Sequence, residues 1–174
     1  MLNNEEKNID FGNKKVKKTE KQTLVNNVFN SVADKYDLMN DLTSLGIHRL
    51  WKDSLINWLA PQPYQKLADI AGGTGDISMK FLLAGGCSAH IIDINKEMIT
   101  KGKLKNNNNN NLSWTIASAE NLPMADNSYE RASMGFGLRN ITNRVLALKE
   151  VYRILKPGGR FTCLEFRHVA NSLL

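Results

Sequence analysis

Long apolar runs and cysteines are both scarce in this sequence. No uninterrupted apolar run approaches the roughly 18 residues that a membrane-spanning helix needs, and the first residues lack the apolar core of a signal peptide. The two cysteines, Cys87 and Cys163, are too few for a disulfide framework and lack the spacing of metal ligands. We therefore expect a cytoplasmic protein with no metal site, in which both cysteines are small buried residues.

Basic residues are concentrated at the N-terminus. The chain of 174 residues carries a net charge of +6, and six of its lysines lie between residues 7 and 21. Because residues 1–23 contain few apolar side chains, we expect a disordered, solvated tail. Attraction of these lysines to the inner face of an anionic membrane stays open as an alternative. Nucleic-acid binding is not expected, because no aromatic residues alternate with the lysines.

The segment 24–62 has helical periodicity. It predicts two helices, separated at Gly46 and ended before Pro61, and the second has an apolar face at helical spacing formed by Leu50, Trp51, Leu55, Trp58 and Leu59. Between the helices lies the polar cluster Asp34–Asp37, which packing does not explain. We interpret the segment as a lid over a ligand site in the remaining core, residues 63–174.

A glycine-rich turn lies at the centre of the chain, in the stretch KLADIAGGTGDIS. The turn consists of Gly72, Gly73, Thr74 and Gly75, and it separates a predicted strand from a predicted helix. Glycines let the backbone approach a ligand closely. A dinucleotide fingerprint has glycine or alanine at its third small position, where this sequence has Ser78. The match to that fingerprint is therefore imperfect. Asp93 ends the next strand at the distance expected of a ribose-binding acid, about 20 residues on, which indicates adenosine without a pyrophosphate, as in S-adenosylmethionine.

Strands and helices alternate through the rest of the core. We predict helices over 77–84, 96–105 and 143–155, and strands over 90–93, 112–118, 129–136 and 160–166. This alternation predicts an α/β fold with a doubly wound parallel sheet, in which ligands bind at the carboxyl ends of the strands. Four segments fall at such ends: the glycine turn, Asp93, Ser118–Ala119 and Gly135–Asn140.

Several details of the core are also predicted. We expect the asparagine run 106–111 to be a surface loop with no packing role, and residues 156–159 to form a tight turn. Arg131 would place a charge in a central strand unless it points to an end or finds a partner. The inner face of the last helix is predicted to be formed by Val145, Leu148, Tyr152 and Leu155.

Seven motifs resemble one known family. They are VFNSVADKYDLMND, GIHRLWKD, DIAGGTGDIS, IIDIN, SAENLPMADNS, FGLRNITN and YRILKPGGRFTCLEF, and they cover most of residues 28–166. In this order they resemble the ubiquinone/menaquinone biosynthesis C-methyltransferase family, whose members are class I S-adenosylmethionine-dependent methyltransferases. The resemblance implies a Rossmann-like fold and methyl transfer to a ring carbon of a polyprenyl benzoquinol or demethylmenaquinol.

The resemblance also implies functional residues. It implies cofactor contacts from Thr74, Asp93, Ser118 and Ala119, while the glycines of the turn leave room for the methionine portion. Gly135 stands where the family often has serine, so that only a backbone contact is expected there.

On the substrate side, Arg139 and Asn140 are the candidates to hold the quinol oxygen, with Tyr36 covering from the lid. Simpler roles stay open: Arg139 pairing with a carboxylate, Asn140 capping the next helix, and Tyr36 packing.

Other readings of the whole chain stay open. The fold of the family closes with a further helix and an antiparallel strand pair, whereas this sequence stops at Leu174. A truncated, inactive or cofactor-binding-only remnant is therefore the alternative to an active methyltransferase. A nicotinamide oxidoreductase and a nucleic-acid methyltransferase fit the sequence less well. The sequence also leaves open a homo-oligomer or a complex for quinone biosynthesis.

Overall fold

The computed structural model describes residues 8–11, 14–17, 20, 23–24, 47–106 and 109–166. The N-terminal part contains β1 (Asn8–Phe11), β2 (Lys14–Lys17) and α1 (Ile47–Leu59). The core continues with β3 (Lys66–Ile70), α2 (Asp76–Leu83), β4 (Ser88–Asp93), α3 (Lys96–Lys105) and β5 (Leu112–Ile116). It then contains β6 (Tyr129–Gly135), a 3-10 turn (Leu138–Asn140), α4 (Arg144–Ile154) and β7 (Leu155–Leu164).

The core is built on a five-stranded sheet with the order β5-β4-β3-β6-β7. Every neighbouring pair in it is parallel, and Asp69 of β3 lies opposite both Ile91 of β4 and Ser133 of β6. After β3, the chain places β4 and β5 on one side of that strand, and it then places β6 and β7 on the other side. The topological switch point therefore lies between β3 and β6, and the predicted doubly wound parallel sheet is confirmed.

Apolar clusters cover both faces of the sheet. Adjacent residues of a strand point to opposite faces, so Leu67 and Ala68 of β3 lie in different clusters. Leu67 belongs to the apolar cluster that includes α1 and α2, with Leu59 and Phe81 fully buried. Ala68 belongs to the cluster on the other face, which includes α4. This two-sided burial explains why β3 reads as an almost continuous apolar run.

The buried faces of α1 and α4 differ from the predicted ones, in part for α1 and more fully for α4. In α4 the buried residues are Ala147, Val151 and Ile154, whereas Val145 and Tyr152 are 66% and 83% exposed. The prediction of the inner face was wrong because this helix carries two apolar stripes, and the sheet packs against the one with the small alanine. In α1 the predicted Leu55 and Leu59 are buried, but Leu50 and Trp58 are exposed.

Arg131 is accommodated at the end of α1. Its Nε donates to the carbonyl of Leu59 at 2.6 Å, and the guanidinium of Arg160 on β7 donates to the carbonyl of Trp58 at 2.5 Å. The last carbonyls of a helix lack partners within the helix and carry a partial negative charge. The two arginines therefore cap α1 and fasten it to β6 and β7.

Three smaller predictions need correction. Residues 156–159 lie within β7 as an irregularity, with Gly158 at φ 78°, because β7 already begins to pair with β6 at Leu155. Both cysteines are exposed: Cys87 lies in the loop before β4, and Cys163 lies on the edge strand β7. The expected disordered tail contains β1 and β2, which pair as an antiparallel hairpin in which Ile9 lies opposite Val16.

The described residues of the asparagine run, 106 and 109–111, lie between α3 and β5, as predicted, but two of these four make side-chain contacts with the core. The Nδ2 of Asn106 donates to the carbonyls of Gly102 and Thr74, at 2.9 and 3.0 Å. Asn109 contacts the sulfur of Met79 at 3.8 Å. Asn106 thus ends α3 and supports the glycine turn, a role that the bare repeat did not indicate.

Candidate functional site

The carboxyl ends of the parallel strands bring the predicted site residues to one edge of the sheet. The glycine turn follows β3, Asp93 ends β4, Ser118 and Ala119 follow β5, and Gly135 ends β6. Arg139 and Asn140 lie in the 3-10 turn after β6. Tyr36, the polar cluster and the predicted first helix of the lid lie outside the described residues, so the lid and the boundaries at residues 23 and 62 remain predictions.

The glycine turn adopts backbone conformations that side chains disfavour. Gly73 and Gly75 have φ of 56° and 81°, in the left-handed region that favours glycine. A Cβ on Gly75 would lie 2.8 Å from the Trp114 ring, and a Cβ on Gly72 would lie 2.9 Å from the carboxylate of Asp69. The sequence needs glycine here both for the turn and for close packing against β3 and β5.

Asp93 is joined directly to this turn. One carboxylate oxygen accepts from the N–H of Gly73 at 2.9 Å, and the other accepts from the N–H of Asn95 at 2.8 Å. Burial raises the pKa of Asp93 above its ordinary value, and these two N–H groups oppose that shift. Each carboxylate oxygen has two lone-pair sites, so the fixed carboxylate keeps acceptor capacity for a ribose diol. The residues present therefore fit an adenosine ligand.

Asp69 is a site-organising residue that the sequence prediction missed. Its fully buried carboxylate accepts from the hydroxyls of Ser78 on α2 and Ser133 on β6, each at 2.8 Å. Burial raises the pKa of Asp69 to about 6, against the effect of these hydrogen bonds. Ser78 therefore allows α2 to pack closely on β3 and also binds Asp69. The sequence signal for this role was an aspartate within the otherwise apolar run LADI.

The turn after β6 packs against the turn after β3. Phe136 and Ala71 are non-glycine residues with φ of 58° and 53°, and they follow β6 and β3 directly. A Cβ on Gly137 would lie 2.6 Å from the Cβ of Ala71, so the backbones touch at the switch point. Such strained conformations cluster at functional sites, where the surrounding structure maintains them.

The segment FGLRN carries an ion pair and an aromatic cluster. The guanidinium of Arg139 forms a salt bridge with Glu165, which follows β7. The cluster consists of Trp51 from α1 with Phe136 and Phe166, whose rings stack with centroids 4.9 Å apart. Arg139 therefore does pair with a carboxylate, and it does so at the predicted edge of the sheet.

Two loops at this edge are held by hydrogen bonds of their own. The Ser118 hydroxyl accepts from the N–H of Glu120 at 3.2 Å, and the Glu120 carboxylate accepts from the N–H of Asn143 at 2.9 Å. Asn143, and not Asn140, is the N-cap of α4, since its side chain accepts from the N–H of Leu146. The simple capping role considered for Asn140 is therefore wrong.

The motif GIHRLWKD connects α1 to both sides of the site. Trp51 joins the aromatic cluster, and the buried ammonium of Lys52 pairs with Asp76, directly after the glycine turn, at 2.6 Å. Burial opposes the ionisation of Asp76, but the nearby Lys52 lowers its pKa below the ordinary value overall. Sequence reasoning treated this motif as helix packing and a family signature. Trp51 and Lys52 fix α1 to the FGLRN turn and to the glycine turn, respectively.

Two features are absent from the ranges that the structure describes. No helix there is both long and apolar enough to cross a membrane. No group of three or more His, Cys, Asp or Glu side chains there is placed to hold a metal ion.

Curated proteins that are similar to this chain include a bacterial and a mitochondrial protein. The chain is 49% identical over 173 residues to the ubiquinone/menaquinone biosynthesis C-methyltransferase UbiE of Rickettsia bellii, which covers 95% of this chain and 69% of the relative. It is 43% identical over 204 residues to the mitochondrial 2-methoxy-6-polyprenyl-1,4-benzoquinol methylase of Dictyostelium discoideum, which covers 98% of this chain and 65% of the relative. The chain thus spans about two thirds of the length of these relatives.

The fold and the family of the chain are shown by a solved structure and by a family match, respectively. A SAM dependent methyltransferase from Aquifex aeolicus superposes with a TM-score of 0.61 at 16% identity, over 70% of this chain and 66% of that chain, which shows the shared fold. Residues 14–174 match the ubiE/COQ5 methyltransferase family. Since this match takes in almost the whole sequence, the chain belongs to the ubiE/COQ5 methyltransferase family.

Proposed function

We propose that this chain binds S-adenosylmethionine at the carboxyl edge of its sheet and methylates a ring carbon of a polyprenyl benzoquinol or demethylmenaquinol. The observation that carries the cofactor assignment is the hydrogen bond between Asp93 and the N–H of Gly73. It joins the acid proposed to bind the ribose to the glycine turn at the same edge of the sheet. The substrate class rests on family membership and on the names of the relatives.

On the cofactor side, the residues of the edge have separate roles. Asp93 accepts from the ribose hydroxyls, and the backbone of Gly72, Gly73, Thr74 and Gly75 borders the methionine portion. Ser118 and Ala119 border the adenine through their backbone groups, and Gly135 offers a backbone contact. When bound, S-adenosylmethionine supplies an electrophilic methyl group on a sulfonium. The chain mainly has to align this group with the ring and exclude water.

On the substrate side, the ring carbon becomes nucleophilic when a quinol hydroxyl loses its proton or is strongly hydrogen-bonded. The Arg139 guanidinium would stabilise that oxygen, and Asn140 would orient it from the same turn. S-adenosylmethionine would supply the methyl group that replaces the proton of the ring carbon, with S-adenosylhomocysteine and a proton released to solvent as the other products, while Arg139 and Asn140 hold the quinol oxygen. Tyr36 is proposed to cover the site.

Transfer of labelled methyl to a short-chain demethylmenaquinol analogue tests this function. The account predicts a methylated quinol, with S-adenosylmethionine binding measured on the same sample. Binding without transfer would support the cofactor-binding-only alternative, and absence of both would overturn the proposal. NAD binding would favour the oxidoreductase alternative.

A contact of the lysine-rich tail with an anionic membrane stays part of the proposal. Each basic residue near the anionic membrane surface would contribute about 1 kcal/mol of attraction to this contact. Sedimentation with vesicles containing anionic lipid, compared with neutral vesicles, checks it. Equal partition with both kinds of vesicle would remove the membrane contact.

A further inference from the structure

Glu165 contacts both the backbone and the side chain of Arg139. It follows β7, and its carboxylate accepts from the backbone N–H of Arg139 at 3.0 Å and from the N–H of Phe166 at 2.9 Å. The same carboxylate pairs with the Arg139 guanidinium. Its side chain is only 17% exposed. Glu165 therefore fixes both the backbone and the head group of Arg139.

Aromatic rings confine the guanidinium further. The Cζ of Arg139 lies 5.4 Å from the ring centroid of Phe166 and 5.9 Å from that of Phe136. Both distances are within the range at which a cation is attracted to the face of a ring. Trp51 meets Phe166 edge-on at 5.6 Å, so α1 supports the stack from the side.

We propose that Glu165 is a positioning residue for Arg139, holding the guanidinium in one orientation at the substrate edge of the sheet. The inference rests on the proposed function, because the oriented group is the one assigned to the quinol oxygen. A free arginine side chain samples many rotamers, and orienting it in advance removes that cost from the transition state. Glu165 acts through Arg139 and does not itself contact the substrate.

The same chain supplies a matched control at the opposite end of the sheet. Glu130, at the start of β6, has a side chain that is 18% exposed, against 17% for Glu165, and it is ion-paired with Lys156 of β7. It also accepts one backbone N–H, that of Lys66, at 2.8 Å. Glu130→Gln therefore removes a comparable charge from a comparable setting, away from the candidate site.

The first measurement is the nitrogen NMR signal of the Arg139 side chain in the full chain. Glu165→Gln keeps the size of the side chain and removes its charge. We expect it to shift the Arg139 Nε signal and to speed rotation of the guanidinium, whereas Glu130→Gln leaves both unchanged. Unchanged Arg139 signals in folded Glu165→Gln would overturn the proposal. If that variant does not fold, Glu165→Asp, which keeps the charge but shortens its reach, is measured instead with the same expectation.

The second measurement separates positioning from a merely structural role. We expect Glu165→Gln to lower kcat by about 10- to 100-fold, as misplacement of a catalytic group does, with little change in S-adenosylmethionine affinity. Arg139→Lys, which keeps the charge without the fork, should show the same pattern. A wild-type kcat in Glu165→Gln would overturn the positioning role. An inactive wild-type chain would count against the proposed function, while the NMR result would still decide whether Glu165 positions Arg139.

Discussion

Replacing Asp69 by asparagine should remove a pH dependence from the stability of the core. The carboxylate lies at the junction of β3, α2 and β6, and burial raises its pKa from 3.8 to about 6. A group whose pKa is raised by folding contributes stability that is complete below the unfolded pKa and is lost as the pH rises through the folded pKa. The wild type should therefore lose stability between about pH 4 and pH 6 through this residue.

The size of the effect follows from the shift. At about 1.4 kcal/mol per unit of pKa, a rise from 3.8 to about 6 corresponds to about 3 kcal/mol over the full titration. Between pH 5 and pH 7.5 roughly 1–2 kcal/mol of this remains to be lost. Asparagine keeps one oxygen that can accept from one of the two serine hydroxyls, its amide nitrogen can donate to the other, and it has no charge to bury. The free energy of unfolding of Asp69→Asn, relative to wild type, should rise by that amount across this range.

Urea denaturation of both proteins at several pH values measures this difference. A pH-independent difference in the free energy of unfolding between wild type and Asp69→Asn reports the altered hydrogen bonds. Only the change of this difference with pH reports the titration of the carboxylate. Asp76→Asn is an internal control of opposite sign, because the folded pKa of Asp76 is lowered, mainly by Lys52 acting against burial. Its loss relative to wild type should be larger at neutral than at acid pH. Parallel pH profiles for wild type and Asp69→Asn would refute the assignment of a raised pKa to Asp69.

Three further changes test the site. Asp93→Ala should weaken S-adenosylmethionine binding, since charge-assisted hydrogen bonds to the ribose contribute roughly 1.5–3 kcal/mol each; unchanged calorimetric affinity would remove Asp93 from the site. Gly75→Ala places a Cβ 2.8 Å from Trp114 at a φ of 81° and should lower stability by about 1–3 kcal/mol; an unaltered thermal melt would show that the turn relaxes freely. Arg139→Ala should lower turnover far more than cofactor affinity, and wild-type turnover with a soluble quinol analogue would rule its role out.

The order of the core elements could be predicted because its signals are local. The glycine turn, the acidic end of β4 and the spacing of apolar residues each depend on neighbours in sequence, and α3 has the predicted bounds, Lys96–Lys105. The buried stripe of α4 could not be predicted in this way. Two apolar stripes compete on that helix, and only the shape of the sheet decides between them.

The interactions that organise the site link residues that are distant in sequence. Asp69 and Ser133 are separated by 64 positions, and Arg139 and Glu165 by 26. Nothing in either local pattern identifies the partner, because the switch point brings β3 beside β6 only after the sheet has formed. The same holds for Arg131, whose partner is a carbonyl at the end of α1. The placement of the described candidate residues at the carboxyl ends of the strands was thus predictable, whereas their hydrogen-bond partners were not.

Isothermal titration of the purified chain with S-adenosylmethionine, and separately with NAD, tests the central claim most directly. Asp93 and the glycine turn, joined at the carboxyl edge of the sheet, are the groups proposed to bind the adenosine. The account predicts saturable one-to-one binding of S-adenosylmethionine that is weakened in Asp93→Ala, and no comparable heat with NAD. Tighter binding of NAD, or S-adenosylmethionine binding that is indifferent to Asp93, would contradict it.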